Sequence, residues 1–309
     1  MTKKHIYKNG ISRREFLKCG LVAGAGLAMP VCFDIKTISA VEVKADLVVA
    51  TGASASGLVD AAIKGLGGMK QFVSPGDVVV VKPNIGWDRR PEFAANTNPE
   101  VVASVVRLCY AAGARRVKVF DHTVNDPRRC YAQSGIGDAA EAEGAVVTYV
   151  DKRKFKDIAI KGTVLKKWPL YTELLEADRV INIPIAKTHG LAELTMAMKN
   201  WMGVMGGWRG RIHQRLDESL VDLARVIKPT LTILDAVRIL TANGPQGGRL
   251  NDVKTLNTVI AGIDQVTVDA YGATLFGMSG MDLGYVRIAH DEGLGNADLA
   301  KATIANVRV

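Results

Sequence analysis

Short apolar runs alternate with longer segments of helical periodicity along most of the chain. The clearest run is the four valines at positions 78–81, which is typical of a strand buried on both faces. The segments between such runs repeat apolar residues every three to four positions, as helices that cover a sheet do. The alternation predicts an α/β fold whose mostly parallel central sheet carries helices on both faces, a three-layer arrangement.

The predicted elements follow one another without a clear linker or internal repeat. The predicted strands cover residues 47–51, 77–81, 116–120, 145–150, 180–185, 231–234 and 258–261. The predicted helices lie around residues 58–66, 99–108, 135–143, 170–177, 192–201, 217–227, 264–276 and 281–290. A charged hairpin is predicted to pair residues 157–160 with residues 163–165. Asn98 is the predicted N-cap of its helix, and Pro99 the first helical residue.

The first 40 residues are predicted to be an export signal rather than part of the fold. Residues 12–18, Ser-Arg-Arg-Glu-Phe-Leu-Lys, match a twin-arginine signal. The weakly apolar run 19–33 that follows is too short and too rich in glycine to favour a stable membrane span. Cleavage after Ala40 would leave residues 41–309 as a single α/β domain. We therefore expect the twin-arginine export machinery as a partner and a periplasmic or otherwise exported location.

Composition changes the picture once the signal is set aside. The whole chain has 40 lysines and arginines, 31 acidic residues and a formal net charge of +9. The first 40 residues hold seven of the basic and two of the acidic residues, so 33 and 29 remain and the charge falls to about +4. This small excess argues against nucleic acid as a partner.

Two cysteines, Cys109 and Cys130, remain outside the predicted signal. This number excludes a disulfide-rich scaffold, although one disulfide between them could form in an oxidising compartment. Cys109 lies on an apolar helix face, which predicts a buried thiol. Cys130 follows two arginines and could be exposed.

Polar side chains follow several predicted strands. They are Lys82 and Asn84 after the valine strand, Asp121 and His122 after strand 116–120, and Asp235 after strand 231–234. Open α/β sheets bind their ligands beyond the carboxyl ends of the strands, so we expect these side chains to meet in one crevice. Each also has a structural alternative: Lys82 could extend from a strand end to solvent, and Asp121 could cap a turn.

The segment 180–208 concentrates further polar groups around apolar ones. The run 180–185 is a predicted strand whose pairing ends at Pro184, because proline has no N–H to donate. Lys187, Thr188 and His189 are then predicted to lie in the crevice. The predicted helix 192–201 ends in Lys199 and Asn200.

A glycine-rich loop follows that helix. Its glycines are Gly203, Gly206, Gly207 and Gly210, interleaved with Trp201, Trp208, Arg209 and Arg211. This density of glycine predicts a loop whose backbone approaches a ligand closely. The alternative is a mobile surface loop with solvated arginines.

Several motifs combine into one pattern. They are Lys82-Pro83-Asn84, Asn182-x-Pro184-x-x-Lys187-Thr188-His189, Lys199-Asn200-x-x-Gly203, His213, Asp235-Ala236, Gly244-Pro245 and Val268-Asp269. Together they resemble the uncharacterised family known as domain of unknown function 362, over roughly residues 48–293. The resemblance implies no particular reaction, because the function of this family is unknown, as its name says. Many relatives carry a ferredoxin-like cysteine cluster, and this chain has no C-x-x-C-x-x-C run, so an intrinsic iron–sulfur cluster is not expected.

The chemistry of the predicted crevice points to an anion. Three lysines around one crevice repel one another unless a negative ligand lies among them, which predicts a phosphate- or carboxylate-bearing substrate or cofactor. We expect His189 or His122 to act as acid or base, and Lys187 or Lys199 to clamp the anion electrostatically. The remaining candidates for binding the cofactor or substrate are Lys82, Asn84, Asn200 and Gly203.

A divalent metal is the other candidate ligand. Imidazole and carboxylate groups suit zinc, nickel or non-haem iron. The candidate ligands are His122, His189, His213 and Asp235. Their spacing does not distinguish a metal site from an anion site, so the cofactor stays undetermined at this stage.

Three functions remain open from the sequence. The leading hypothesis is an exported enzyme whose crevice binds an anionic substrate or cofactor, with assistance from a metal as an option. A periplasmic binding or carrier protein would capture the same ligand without turnover. A scaffold or maturation factor for another exported complex would need no ligand, and fold class alone cannot rank the three.

Overall fold

In the computed structural model, which describes residues 45–309, one ten-stranded sheet organises the chain. The strands are β1 Leu47–Thr51, β2 Val78–Pro83, β3 Arg116–Val119, β4 Val146–Val147, β5 Phe155–Ala159, β6 Lys167–Tyr171, β7 Arg179–Ile183, β8 Ile185–His189, β9 Glu193–Thr195, β10 Leu231–Leu240, β11 Val253–Gly262 and β12 Ile304–Arg308. The main path of the sheet runs β12-β1-β11-β10-β7-β2-β3-β4, with β8 paired to β10 and β9. The predicted export signal lies outside the described residues.

The pairings are mostly parallel, as predicted. In this described sheet, six pairings are parallel and three are antiparallel. The antiparallel pairings involve β11 between β1 and β10, and β9 against β8. Strands β5 and β6 form a separate antiparallel pair. The α/β class predicted from the sequence is therefore confirmed.

Helices cover both faces of the sheet. They are α1 Ala55–Gly65, α2 Pro99–Ala111, α3 Pro127–Ser134, α4 Ile136–Ala142, α5 Thr172–Leu175, α6 Ala197–Asn200, α7 Leu216–Val226, α8 Gln265–Thr274 and α9 Gly284–Asp291. Helices α1 to α4 pack in one apolar core, and α7 to α9 pack in the other. Val79 and Val81 of β2 face the first core and Val80 faces the second, which explains the uninterrupted valine run.

Local signals fixed the start of α2. The Asn98 side chain accepts a hydrogen bond from the backbone N–H of Glu100, and Pro99 is the first helical residue. Both features agree with the prediction. Pro99 fits there because the first helical position needs no intrahelical donor.

The prediction of one helix over residues 192–201 is wrong. Residues 193–195 form β9 antiparallel to β8, α6 contains only Ala197–Asn200, and a 3₁₀ turn follows at Trp201–Val204. The side chains of Leu194, Met196 and Met198 are buried in the same core. These residues are apolar because their side chains are buried in this core, and not because they form one face of a helix.

Strand boundaries near the crevice also differ from the prediction. Pro184 interrupts the apolar run, but the chain continues as β8, so Lys187 and His189 lie within a strand rather than in a loop. Strand β10 extends to residue 240, so Asp235 lies in its middle instead of at its end. Pairing with β11 over residues 253–262 provides the partner for that extension.

The hairpin prediction had the correct region but the wrong register. Residues 155–159 pair with residues 167–171, which displaces the predicted start of the helix at 170 to α5 at Thr172–Leu175. Asp222 explains the wide turn, because its carboxylate accepts backbone hydrogen bonds from Thr163, Val164 and Leu165. The turn is thus held by a residue of α7 that the local sequence does not contain.

Cys109 and Cys130 are both buried and both free, so the disulfide that the sequence left open is not formed. Burial raises the pKa of the Cys109 thiol to about 12 and that of Cys130 to about 11. The expectation that Cys130 could be exposed is wrong, because it faces the core from α3. Every helix within residues 45–309 is too short or too polar to span a lipid bilayer.

Candidate functional site

A cavity of about 320 Å³ lies where β2, β3 and β8 end. It gathers ten of the polar or glycine positions singled out in the sequence: Lys82, Asn84, Asp121, His122, Lys187, His189, Lys199, Asn200, Gly203 and His213. Asp235 is not among its lining residues. The prediction that the strand ends form one crevice is therefore right for all of these candidates except Asp235.

An ion pair between Lys82 and Asp121 forms part of the cavity lining. The Lys82 ammonium lies 2.8 Å from the Asp121 carboxylate, and both side chains are buried. Burial lowers the pKa of Lys82, while the negative charge of Asp121 opposes that shift. The ammonium also donates to the Pro83 carbonyl and to the Asn200 side chain. Lys82 does not extend to solvent, so that alternative is wrong.

A set of asparagines connects this ion pair to the neighbouring strands. The Asn200 side-chain oxygen accepts from the Lys82 ammonium and from the Asn84 amide, at 3.0 and 3.1 Å. The Asn200 amide donates to the Lys82 carbonyl and to the Asn182 side chain. Asn200 thereby uses its whole polar end to hold β2 and β7 against α6, a positioning role.

Lys187 lies on the β8 side of the cavity. Its ammonium donates to the Ala95 carbonyl at 2.5 Å and to the Asn84 side-chain oxygen at 3.1 Å. Burial lowers the pKa of Lys187 to about 7, and the charges of Lys199 and Lys82 act in the same direction against the attraction of Asp121. The neutral acceptors orient this cation without cancelling its charge.

Lys199 is positioned by a buried aspartate. Asp269, from α8, accepts the backbone N–H groups of Ala197 and Met198 at 2.6 and 2.9 Å and so fixes the start of α6. The Lys199 ammonium has the Met202 sulfur, at 3.1 Å, as its hydrogen-bond acceptor. Burial, together with the charge of Arg209, lowers the pKa of Lys199 to about 8. Lys199 is thus a buried cation with only a weak acceptor beside it.

Arg209 is a site residue that sequence reasoning assigned only to a loop. Its guanidinium donates to the carbonyls of His122, Met202 and Thr123 at 2.6, 3.1 and 2.7 Å. The alternative of solvated arginines is therefore wrong for Arg209, whereas Arg211 is exposed. No local signal separates the two arginines, because the carbonyls that hold Arg209 come partly from residues 122–123.

The three histidines of the cavity differ in which ring nitrogen carries the proton. Nδ1 of His189 accepts hydrogen bonds from the backbone N–H groups of Leu191 and Ala192, which leaves the proton on Nε2. Nδ1 of His122 and Nδ1 of His213 instead contact the carbonyls of Met205 and Gly210 and must donate to them. His189 is therefore a donor at Nε2, while the other two have a free lone pair there.

The same contacts set the charge of the histidines. Burial and the charges of Lys199, His213 and Lys187 lower the pKa of His189 to about 3. Burial also lowers the pKa values of His122 and His213. The rings of His189 and His213 are stacked, with centroids 6.0 Å apart. All three imidazoles are thus favoured in their neutral forms. In the stacked pair, Nε2 of His189 is a hydrogen-bond donor and Nε2 of His213 is an acceptor.

Two small residues complete the cavity. The Thr195 hydroxyl is buried beside it without a hydrogen-bond partner in the described structure. Sequence reasoning missed Thr195, because it lies in the segment predicted as helix and belongs to none of the motifs. Gly203 faces the Lys82–Asp121 pair so closely that a Cβ atom would overlap both charged groups. The sequence predicted that the glycine backbone approaches a ligand closely. At Gly203 the groups that come close to the backbone are instead the side chains of Lys82 and Asp121.

The predicted metal ligands are only partly assembled. Asp235 accepts backbone hydrogen bonds from Asn98 and Val237 instead of facing the cavity. Across residues 45–309, no group of three or more His, Cys, Asp or Glu side chains could hold a metal ion. The three histidines share the cavity with cationic side chains, and the positive charge of these side chains disfavours binding of a metal cation beside them. A metal at this site stays a prediction.

Comparison with known proteins finds one family model and one curated relative that match more than half of the chain. Residues 79–274 match the family model described as Domain of unknown function (DUF362). A thylakoid-associated protein of Synechocystis sp. is 32% identical over 199 residues, which are 62% of this chain and 61% of the relative. The chain thus spans about three fifths of the length of that curated relative.

Two solved structures are similar at a lower level. A protein from Thermotoga maritima has a TM-score of 0.41 and 10% identity, covering 66% of this chain and 54% of the other. The lactate racemase apoprotein from Thermoanaerobacterium thermosaccharolyticum has a TM-score of 0.40 and 11% identity, covering 71% of this chain and 54% of the other. Similarity at this level carries no functional argument.

Proposed function

We propose that this chain, which belongs to the DUF362 family, is an exported enzyme whose cavity binds a small anion and transfers a proton. The anion carries phosphate or carboxylate groups. The observation that carries the proposal is the placement of Lys187, Lys199 and Arg209 around one cavity without a carboxylate partner for any of them in the described residues. Lys187 and Lys199 are buried and Arg209 is half-buried, and buried cations are costly unless an anion completes the site.

The proton-transfer part rests on the histidines. The Nε2 lone pairs of His122 and His213 can accept a proton from a bound ligand. The Nε2–H group of His189 can donate a hydrogen bond to an oxygen on which negative charge develops. The sequence suggested His189 as an acid or base. In this proposal His189 is instead a neutral hydrogen-bond donor, and His122 or His213 is the base.

Several parts of the proposal extend beyond the cavity. Export through the twin-arginine pathway is inferred from residues 12–18 alone. Metal assistance would have to use the Nε2 atoms of His122 and His213 together with groups of the ligand, since residues 45–309 supply no third ligand of the usual type nearby. Neither part is needed for the anion-binding proposal.

The experiment is a ligand search on the protein purified from its own host. Native mass spectrometry with elemental analysis would identify a retained anion or metal, and calorimetry with small phosphates and carboxylates would measure binding. We expect binding that falls at least about tenfold in Lys199→Gln and is unchanged in Lys156→Gln, an exposed lysine on β5. Equal loss of binding in both variants would contradict the cavity assignment.

The carrier alternative is separated from the enzyme by turnover. The ligand recovered after incubation would be chemically unchanged in a carrier, whereas exchange of a carbon-bound proton with deuterated water, faster than without protein, would mark an enzyme. His122→Gln and His213→Gln should reduce that exchange while leaving anion binding within about threefold. A scaffold would bind none of the anions.

A further inference from the structure

We infer that the cavity selects doubly charged anions, such as a phosphomonoester or a dicarboxylate, over singly charged anions of the same size. This inference rests on the proposed function and deepens it by naming the class of ligand. Its basis is the balance of charged groups around the cavity rather than any single contact.

The first step is the count of charges. Among the described lining residues, Lys82, Lys187, Lys199 and Arg209 are basic and Asp121 is the single acidic residue. Asp121 lies 2.8 Å from Lys82 and so neutralises that lysine. Three cationic side chains therefore remain without a negative partner when all are protonated.

The second step is what those three groups contact instead. Lys187 donates to a carbonyl and an amide oxygen, and Arg209 donates to three carbonyls. Lys199 has the Met202 sulfur. Within residues 45–309, none of these three side chains forms an ion pair with a carboxylate. Neutral acceptors fix the direction of a cation but leave its field intact, so the cavity keeps a strong positive potential.

The third step is mutual repulsion. Burial is the main cause that lowers the pKa of Lys199 and of Lys187, and repulsion adds to it: the charge of Arg209 lowers the pKa of Lys199, and the charge of Lys199 lowers that of Lys187. A singly charged ligand would leave two positive charges facing each other in a poorly hydrated space. A doubly charged ligand removes most of this repulsion, because attraction grows with the product of the charges. The unpartnered Thr195 hydroxyl offers a further donor to such a ligand.

Proton uptake follows from the same coupling. Without ligand, Lys187 and Lys199 lose their protons near pH 7 and pH 8. A dianion beside them favours the charged ammonium groups and raises both pKa values. Binding at pH 8 should therefore take protons from the buffer, and affinity should fall as the pH rises from 7 to 9.

The test compares sulfate with methyl sulfate, which have the same tetrahedral head group and do not titrate between pH 6 and 9. Calorimetry at constant ionic strength in two buffers of different ionisation enthalpy gives both the affinity and the number of protons taken up. We expect sulfate to bind at least about tenfold more tightly, with net proton uptake at pH 8. Malonate and its monomethyl ester repeat the comparison for carboxylates and distinguish a dicarboxylate from a phosphate-like ligand.

Variants assign the preference to the cavity. Lys199→Gln and Arg209→Gln should each lower the ratio of the two affinities by at least about threefold, because two of the three cations remain, while Arg211→Gln, an exposed neighbour of Arg209, should keep the ratio of the wild type. Circular dichroism checks that each variant folds, and Lys199→Met replaces Lys199→Gln if the glutamine does not. Equal binding of sulfate and methyl sulfate would overturn the inference and leave the anion-binding proposal standing. Absence of binding by all four anions would overturn both.

Discussion

The Lys82 ammonium and the Asp121 carboxylate lie 2.8 Å apart although the two residues belong to neighbouring parallel strand ends 39 positions apart in the chain. Their pairing uses the single carboxylate of the described cavity lining. The remaining cations are consequently left for a ligand. This one contact therefore decides both the stability of the cavity and its charge.

Removing the charge of Asp121 should be strongly destabilising. Asp121→Asn keeps the shape of the side chain but leaves the Lys82 ammonium buried without a counter-charge, which costs about 3–5 kcal/mol. Urea unfolding at pH 7 measures the loss. Asp157→Asn is the control, because its pair with Lys167 is exposed and should contribute about 0–1 kcal/mol. Equal stability of Asp121→Asn and the wild type would mean that Lys82 is buried as a neutral amine.

A methyl group at position 203 should disrupt the same pair. In Gly203→Ala the new Cβ overlaps the Asp121 carboxylate and the Lys82 ammonium, so the groups must separate at a cost of about 3 kcal/mol or more. Thermal unfolding and anion binding should both weaken. Gly190→Ala is a matched control, since its Cβ would meet no atom within 4 Å. An unchanged melting temperature in Gly203→Ala would show that the cavity lining is more open than the contacts indicate.

Replacing Lys199 should stabilise the protein while weakening anion binding. Lys199→Met removes a buried cation that has only the Met202 sulfur as acceptor, and the free energy of unfolding at pH 7 should rise by about 1–3 kcal/mol. Lys156→Met, at an exposed position, serves as the reference variant. A destabilised Lys199→Met would indicate that the ammonium has a structural role.

The pH dependence of stability gives an independent check on Lys199. Its pKa in the folded protein is about 8, below the value of about 10.4 in an unfolded chain, so the unfolded state binds more protons between these values. The free energy of unfolding of the wild type should therefore rise as the pH increases from 8 towards 10. The rise should be smaller in Lys199→Met, and identical slopes would contradict the lowered pKa.

His189 should stay neutral through the physiological range with its proton on Nε2. The two backbone N–H groups at Nδ1 exclude a proton there, and the pKa is about 3. Long-range ¹⁵N NMR of the imidazole rings should report an Nε2–H tautomer for His189 and Nδ1–H tautomers for His122 and His213. Titration of His189 near pH 6.5 would contradict this assignment.

The lowered pKa of His189 also predicts a loss of stability in acid. The unfolded state binds a proton at about pH 6.5 and the folded state only at about pH 3, so stability falls as the pH decreases through that window. His189→Gln keeps a hydrogen-bonding side chain without the titrating ring and should flatten this part of the profile. The same variant should retain the acid sensitivity that comes from other groups.

The sequence by itself determined the layered α/β class, most strand positions, the start of α2 and nearly all of the polar residues that line the cavity. These features depend on local periodicity, on capping groups and on the rule that parallel strands end at one edge of the sheet. The sequence also determined the family, through short motifs distributed between residues 82 and 269.

Only the tertiary structure decided the charge balance and the roles of individual groups. It placed Asp235 inside β10 rather than in the cavity, turned residues 193–195 into a strand, and brought Arg209 and Thr195 to the site. It also fixed the proton of His189 on Nε2, through amides two and three residues further along. The physical reason is that ion pairing, burial and tautomers depend on which groups approach within about 3 Å. Most of these approaches join segments far apart in sequence, and the local ones at His189 depend on the exact path of the backbone.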